Sequence, residues 1–125
     1  MNTKKEKILI IDDEKTSRDV VVNGFKDAGF SVLVAIDGEE GLRIALAEHP
    51  DFILLDIIMP VMDGITMLKR LRQDKTWGKD AKVMVLTNLS DPNRISQAME
   101  QDSYDYLVKT DWHIEDIIKK VKEKL

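Results

Sequence analysis

The stretch Phe52-Ile53-Leu54-Leu55-Asp56 is a run of four apolar residues that ends in a carboxylate. Similar apolar runs lie at residues 8–11, 32–35 and 83–86, and a more mixed one lies at residues 104–108. These runs lack the alternation of apolar and polar residues that marks a half-exposed strand. They are therefore typical of strands buried on both faces of a parallel sheet.

Apolar residues at helical spacing separate the predicted strands. The clearest stripe is the last one, formed by Ile114, Ile117, Ile118, Val121 and Leu125. Turn and cap residues agree with this division: Gly29 and Pro50 are expected just beyond the first two helices, and Asp91-Pro92 is expected to open the fourth. A strand–helix unit repeated five times with right-handed crossovers predicts an α/β protein with one parallel sheet and helices on both faces.

Composition limits the possible functions. The 125 residues suit one domain, and the absence of cysteine excludes disulfides, thiolate zinc sites, thiol nucleophiles and iron–sulfur clusters. Nineteen basic against twenty-three acidic residues give a net charge of −4, which disfavours direct binding to nucleic acid or anionic membranes. No apolar run is long enough for a signal peptide or a membrane span, so we expect a cytoplasmic protein.

Polar residues follow four of the five predicted strands. Asp12 and Asp13 come after the first strand, Asp56 after the third, Thr87 after the fourth and Lys109 after the fifth. The carboxyl ends of parallel strands meet at one edge of the sheet, which is where sites form in open α/β folds. We therefore expect three carboxylates, a hydroxyl and an ammonium group to converge there.

Each of these residues alone has an ordinary structural explanation, such as a helix cap for the acid pair or a surface cation for Lys109. Their coincidence at one edge is harder to explain, because clustered carboxylates repel one another. A hard cation relieves that repulsion, and an all-oxygen ligand set suits Mg²⁺. Lys109 and Thr87 would then serve an anion beside the metal, for which a phosphoryl group is the natural candidate.

The motifs that carry these residues are recognisable as a set. They are Ile10-Ile11-Asp12-Asp13-Glu14, Leu54-Leu55-Asp56-Ile57-Ile58-Met59-Pro60-Val61-Met62-Asp63-Gly64, Val85-Leu86-Thr87-Asn88 and Asp105-Tyr106-Leu107-Val108-Lys109. With their spacing, they resemble the receiver domain of two-component response regulators, especially the chemotaxis regulators. The resemblance covers the whole chain. It implies a flavodoxin-like five-stranded parallel sheet of order 2-1-3-4-5 and one receiver domain over residues 1–125, with no output domain in this chain.

The resemblance also implies a phosphorylation site and a cofactor. Asp56 would be the nucleophile that accepts a phosphoryl group from a phosphohistidine on a sensor histidine kinase or a phosphotransfer protein. Mg²⁺ would be the cofactor, bound directly by Asp13, Asp56 and the backbone carbonyl of Ile58. Asp12 would act mainly through a coordinated water molecule.

The remaining implied residues connect phosphorylation to an output. Lys109 would pair with a phosphoryl oxygen, Thr87 would move to hydrogen-bond the phosphoryl group, and Tyr106 would turn inward behind it. The changed surface would comprise the fourth helix, fifth strand and fifth helix. It would bind a downstream protein target or a second copy in a weak homodimer, or the protein would remain a monomer. Such a protein is a switch that assists its own phosphorylation and dephosphorylation rather than an enzyme.

The sequence departs from the family pattern in two places near the site. Thr110 replaces the proline that usually follows the lysine, and the bulky Leu89 replaces a usual small residue. Ile58 and Leu89 are expected to flank the path of the water that hydrolyses the phosphorylated aspartate.

Two alternative classes of protein stay open. The first is a pseudo-receiver, a protein-binding module with this fold that is not phosphorylated. The second is a protein of another class, either an enzyme such as a haloacid-dehalogenase-type phosphatase or a flavodoxin. The adjacent acids Asp12-Asp13 disfavour this second class, because those phosphatases need Asp-x-Asp and a flavodoxin needs a loop that binds phosphate.

Overall fold

The computed structural model describes residues 5–88 and 91–125, and within these ranges the strands form one five-stranded parallel sheet. The strands are β1 (Lys7–Ile11), β2 (Ser31–Ala35), β3 (Phe52–Leu55), β4 (Val83–Thr87) and β5 (Tyr106–Val108). Their order is β2-β1-β3-β4-β5, which confirms the predicted flavodoxin-like topology. Leu89, for which the sequence predicted a role at the site, lies outside the described residues, as does the basic start of the chain before Lys5.

Helices follow the strands in the predicted alternation. They are α1 (Lys15–Asp27), α2 (Gly38–Glu48), α3 (Gly64–Arg72), α4 (Pro92–Glu100) and α5 (Ile114–Lys124), with 3₁₀ turns at Gly78–Asp80 and Lys109–Asp111. The expected punctuation is present, since Gly29 follows α1 at a φ of 94° and Asp91 accepts a hydrogen bond from the Asn93 N–H at the start of α4. No helix in the described ranges is long and apolar enough to cross a membrane.

The sheet separates two main apolar clusters. One packs α1 and α5 against the sheet around Phe25, and the other packs α2 and α3 against it around Leu68. The central strands β1, β3 and β4 are buried almost throughout, as predicted. The same prediction is wrong for β2. This strand lies at the edge of the sheet, where Val34 is 37% exposed.

Strand register brings the strand-end residues together. Ile11 of β1 is paired with Leu55 of β3. The residues that follow them, Asp12 and Asp56, are therefore neighbours at the edge of the sheet. The Asp56 N–H donates to the Ile11 carbonyl, which continues the ladder past the last strand residue. Gly64 begins α3 beside this ladder, and a side chain there would overlap the carbonyl oxygen of Asp56. A glycine is therefore required for helix α3 to start next to the site.

Candidate functional site

Three carboxylates lie together at the carboxyl edge of the sheet. Asp12 and Asp56 are buried and Asp13 is exposed, and one oxygen from each lies within 4.8 Å of the others. This confirms the predicted convergence of the acids from two strand ends. An all-carboxylate donor set on one side of an open cleft suits a hard cation such as Mg²⁺, which retains several of its waters.

Lys109 brings a positive charge into this cluster from the end of β5. Its Nζ lies 2.6 Å from Asp12 Oδ2 and 3.4 Å from Asp56 Oδ2. The lysine side chain is only 13% exposed, so water screens these ion pairs weakly. The Lys109–Thr110 peptide is trans, and the 3₁₀ turn Lys109–Asp111 follows the strand directly.

The carboxyl group of Asp56 is held from several directions. Its Oδ1 accepts a hydrogen bond of 2.7 Å from the Ile57 N–H, and its carboxyl group is also hydrogen-bonded to the Thr87 side chain. Burial raises the pKa of the Asp56 carboxyl, and the nearby Asp12 adds to this, whereas Thr87, Lys109 and Ile57 act in the opposite direction. Asp56 is thus a fixed carboxyl group whose negative charge is only partly compensated by Lys109.

Thr87 and Tyr106 lie on neighbouring strands beside Asp56. Thr87 is the fully buried last residue of β4, and Tyr106 is the half-buried first residue of β5. The Tyr106 side chain packs against a small cluster that includes Ile57 and Ala98. Burial raises the pKa of the Tyr106 hydroxyl. This packing connects the residue that follows Asp56 with α4 and β5.

An open cleft of about 700 Å³ gives access to the cluster. Its lining includes Asp13, Asp56, Ile58 and Thr87. The Ile58 side chain is 62% exposed and forms an apolar part of the rim. Of the other predicted site residues in the described ranges, Asp12 and Lys109 lie against Asp56 without lining the cleft, and Tyr106 packs against Ile57 instead.

Comparison with known proteins agrees with this geometry. Residues 8–122 match the model of the family described as the response regulator receiver domain. The chain belongs to this family. Receiver domains are signalling switches of two-component systems, and they use Mg²⁺ at an acidic pocket of this kind.

Curated relatives of this receiver domain are transcriptional regulators by name. A probable transcriptional regulator ycf27 from Porphyridium aerugineum is 39% identical over 105 residues, which are 84% of this chain and 42% of that protein. The DNA-binding dual master transcriptional regulator RpaA from Synechocystis sp. is 35% identical over 119 residues, which are 95% of this chain and 48% of that protein. The chain thus spans less than half the length of these relatives.

Solved receiver structures match over the full domain. The chemotaxis protein CheY4 from Vibrio cholerae superposes with a TM-score of 0.88 at 30% identity, covering 98% of this chain and all of that one. A putative response regulator from Chloroflexus aurantiacus gives a TM-score of 0.87 at 30% identity, covering 96% of this chain and 97% of that one.

Sequence reasoning missed Ser17 and Arg18, which also contact the cluster. The Ser17 hydroxyl donates to Asp12 Oδ2 at 2.9 Å and accepts a hydrogen bond from Lys109 Nζ at 2.6 Å. Arg18 donates to the backbone carbonyl of Asp12 at 3.0 Å. The sequence could have pointed to these two residues only by their position, since both lie in the first turn of the helix that follows the acid pair.

Proposed function

We propose that this receiver domain is a phosphorelay switch that accepts a phosphoryl group on Asp56 in a Mg²⁺-dependent reaction. The donor is a phosphohistidine on a sensor histidine kinase or a phosphotransfer protein. The observation that carries the proposal is the cluster of Asp12, Asp13 and Asp56 with Lys109 in contact with two of them. A cluster of like charges that includes one buried, fixed carboxyl group is costly for stability and suited to phosphoryl transfer.

The donor set fits Mg²⁺. Asp13 and Asp56 would hold the ion directly with the Ile58 backbone carbonyl, and Asp12 would act mainly through a coordinated water. When bound, the ion neutralises carboxylate and phosphoryl charge. The exposure of Asp13 and the openness of the cleft leave room for the waters that Mg²⁺ retains.

The protein's own residues divide the work of the transfer. An Asp56 carboxylate oxygen attacks phosphorus and forms an acyl phosphate, while the phosphorus–nitrogen bond breaks and the donor imidazole takes up a proton. Lys109 pairs with a phosphoryl oxygen. Its positive charge offsets the negative charge that is concentrated beside Asp12. The Ile57 N–H, which donates to Asp56 Oδ1, keeps the carboxyl group oriented.

Thr87 and Tyr106 carry the signal to the surface formed by α4, β5 and α5. The phosphoryl group is a new acceptor for the Thr87 hydroxyl, and the resulting movement opens space into which Tyr106 turns. Phosphorylation thereby favours one of two conformations of this surface. The output is the binding of a downstream protein, or weak pairing of two copies, through this same surface. If two copies do not pair, the domain is a monomer.

We further propose that the domain itself contacts protein rather than nucleic acid or membrane, in keeping with its net charge of −4. RpaA is named as DNA-binding and is about twice as long as the matched region, so in a longer regulator of that kind a separate segment would contact DNA. A cytoplasmic location suits a kinase partner. The domain assists its own phosphorylation and dephosphorylation without being a conventional enzyme.

The test is intact-protein mass spectrometry after incubation with acetyl phosphate and Mg²⁺. We expect the mass of one phosphoryl group to be added to the wild type and not to Asp56→Asn. A chelator should abolish the addition. A wild type that remains unmodified under these conditions would contradict the proposal and favour a pseudo-receiver.

A further inference from the structure

The ammonium group of Lys109 has three oxygen neighbours in this structure. Asp12 Oδ2 and Ser17 Oγ each lie 2.6 Å from Nζ, and Asp56 Oδ2 lies at 3.4 Å. The Ser17 hydroxyl in turn donates to the same Asp12 oxygen at 2.9 Å. Lys109, Ser17 and Asp12 therefore form a closed ring of hydrogen bonds on the α1 side of the cluster.

A lysine ammonium has three N–H donors in tetrahedral arrangement and no acceptor. Two short bonds, to Asp12 and Ser17, fix the direction of two of these donors. The third then points toward Asp56, where the contact is longest. Without the Ser17 hydroxyl, only the bond to Asp12 would remain short, and the flexible lysine side chain could swing around that bond and away from Asp56.

Ser17 is itself held on a rigid element. It lies in the first turn of α1, and the turn that precedes this helix is tied to Asp12 by the hydrogen bond from the Glu14 N–H to Asp12 Oδ1 at 3.0 Å. Arg18 adds a bond from the same helix turn to the Asp12 carbonyl. The hydroxyl therefore has a fixed position relative to the acid that it shares with Lys109.

We propose that Ser17 is a positioning residue for Lys109 in phosphoryl transfer to Asp56. This inference rests on the proposed function and assigns a further residue to it. Ser17 acts through the lysine: its hydroxyl accepts one N–H and thereby directs another toward the phosphoryl group that forms on Asp56. Ser17 does not line the cleft beside Asp56.

The first experiment measures the initial rate of phosphorylation against acetyl phosphate concentration at saturating Mg²⁺. For Ser17→Ala we expect the maximal rate to fall about 3- to 10-fold, a range that corresponds to losing the net contribution of one typical intramolecular hydrogen bond. The half-saturating acetyl phosphate concentration should not change. Ser17→Thr should restore most of the rate because it keeps the hydroxyl.

Thr16→Ala is the matched control, because Thr16 is an exposed hydroxyl residue in the same helix turn, and its rate should equal that of the wild type. Alanine is a good helix former, so neither alanine variant should disturb α1. In a Lys109→Met background, Ser17→Ala should cause no further loss of rate. A similar fractional loss in both backgrounds would overturn the proposal, since Ser17 would then act independently of the lysine.

A second measurement tests the bond itself without phosphorylation. Denaturant unfolding of the wild type, Ser17→Ala, Lys109→Met and the double variant in chelator forms a double-mutant cycle. We expect the two substitutions to be coupled by about 3-fold or more in the unfolding equilibrium constant. Additive effects would overturn the proposal.

The outcomes separate this inference from the proposed function. Equal phosphorylation rates for the wild type and Ser17→Ala, with Asp56→Asn unmodified, would overturn the role of Ser17 alone. Absence of any Asp56-dependent modification in the wild type would overturn the proposed function and the role of Ser17 with it.

Discussion

Lys109 lies between two carboxylates that are otherwise costly to bury. Its pair with Asp12 has an Nζ–Oδ2 distance of 2.6 Å, and both side chains are mostly buried. Removing one partner of such a pair leaves an uncompensated charge away from water. We therefore expect Lys109→Met to lower the free energy of unfolding by about 3–5 kcal/mol in the absence of metal. Urea denaturation in chelator measures this change.

Lys15→Met is the control for the Lys109 prediction. Lys15 pairs with Asp19 at a similar distance of 2.7 Å, but both side chains are largely exposed to water. An exposed pair of this kind contributes little to stability, so Lys15→Met should lower the free energy of unfolding only slightly. Mg²⁺ should recover part of the stability that Lys109→Met loses, because it replaces the missing positive charge. Equal losses for the two lysine variants would mean that burial does not strengthen the Lys109 pair.

Ile58 lies at the open rim of the cleft beside Asp56. Hydrolysis of an Asp56 acyl phosphate requires a water to approach through this cleft, and a branched apolar side chain neither orients that water nor leaves it much room. We expect Ile58→Asn to speed loss of the phosphoryl group about tenfold, equivalent to about 1.4 kcal/mol of barrier. Decay of the phosphorylated protein on a phosphate-affinity gel measures the rate.

Val61→Asn is the control for Ile58, because Val61 is 75% exposed in the same loop and does not line the cleft. Its φ of 69° is unfavourable for a β-branched residue and acceptable for asparagine, so this substitution should not disturb the loop. Faster decay in both variants would indicate a general change in the loop rather than shielding by Ile58.

Helix α3 ends in an arginine that holds two loops together. The Arg72 guanidinium donates to the carbonyls of Ala81 and Gln101 at 2.7 Å, Gly78 at 2.8 Å and Asp102 at 3.1 Å. These bonds join the turn before β4 to the turn after α4. Lysine has fewer donors and no planar fork, so it cannot reach all four carbonyls. We expect Arg72→Lys to lower the free energy of unfolding by about 2 kcal/mol.

Arg70→Lys, which changes an exposed arginine in the same helix turn, should have almost no effect on stability. Hydrogen exchange gives a second measure for Arg72→Lys. The N–H groups of Gln101 and Ser103, which close the end of α4 on the Ala98 carbonyl, should exchange faster. Unchanged exchange at these two amides would mean that the arginine does not hold the turn after α4.

Asp74 organises the turn between α3 and the 3₁₀ turn at Gly78–Asp80. Hydrogen bonds from the Gly78 and Trp77 N–H groups hold the pKa of the Asp74 carboxyl below its ordinary value of 3.8. An acid with a lowered pKa in the folded state stabilises the fold above pH 3.8, and this contribution disappears as pH falls through the folded pKa. Asp74→Asn should therefore be less stable than the wild type at pH 7.

The stability difference between the wild type and Asp74→Asn should shrink steadily below about pH 4, because the wild-type carboxyl is then protonated as well. Urea midpoints at a series of pH values measure it. A difference that stays constant down to pH 3, or grows as pH falls, would contradict the assigned sign.

Some features of the fold and of the site could be predicted from the sequence and others could not, because only some residues carry a local signal of their role. Apolar runs and the Asp-Pro pair at residues 91–92 signal strands and a helix start locally, so the parallel sheet and the strand-end polar residues followed from them, whereas the strand order and the roles of the site residues came from the resemblance to receiver domains. The partial exposure of β2 could not be predicted from its apolar run, because that run resembles the run of a central strand. Ser17 and Arg72 act through contacts with residues distant in sequence, and a serine or arginine in a helix carries no local sign of such contacts.

In the domain as a whole, the acid cluster couples folding to metal binding. The cluster holds three carboxylates and one ammonium group, which pairs with two of them, so the cluster is short of positive charge when no metal is bound. An ion that binds only the folded state stabilises it by mass action, by about 2.7 kcal/mol at one hundred times its dissociation constant. For a domain of this size, this corresponds to a rise in the melting temperature on the order of 10 °C.

Asp13→Asn separates metal binding from folding in this prediction. Asp13 is exposed, and its replacement removes one of the crowded charges, so Asp13→Asn should be slightly more stable than the wild type in chelator. The same replacement removes one of the proposed direct ligands, and the melting-temperature rise at a given Mg²⁺ concentration should become smaller. Differential scanning calorimetry of both proteins, in chelator and over a series of Mg²⁺ concentrations, measures these shifts.

Equal wild-type midpoints in chelator and in Mg²⁺ would mean that the cluster does not bind the ion. An Asp13→Asn protein that is much less stable than the wild type in chelator would mean that Asp13 serves the fold, because relief of charge crowding predicts the opposite sign.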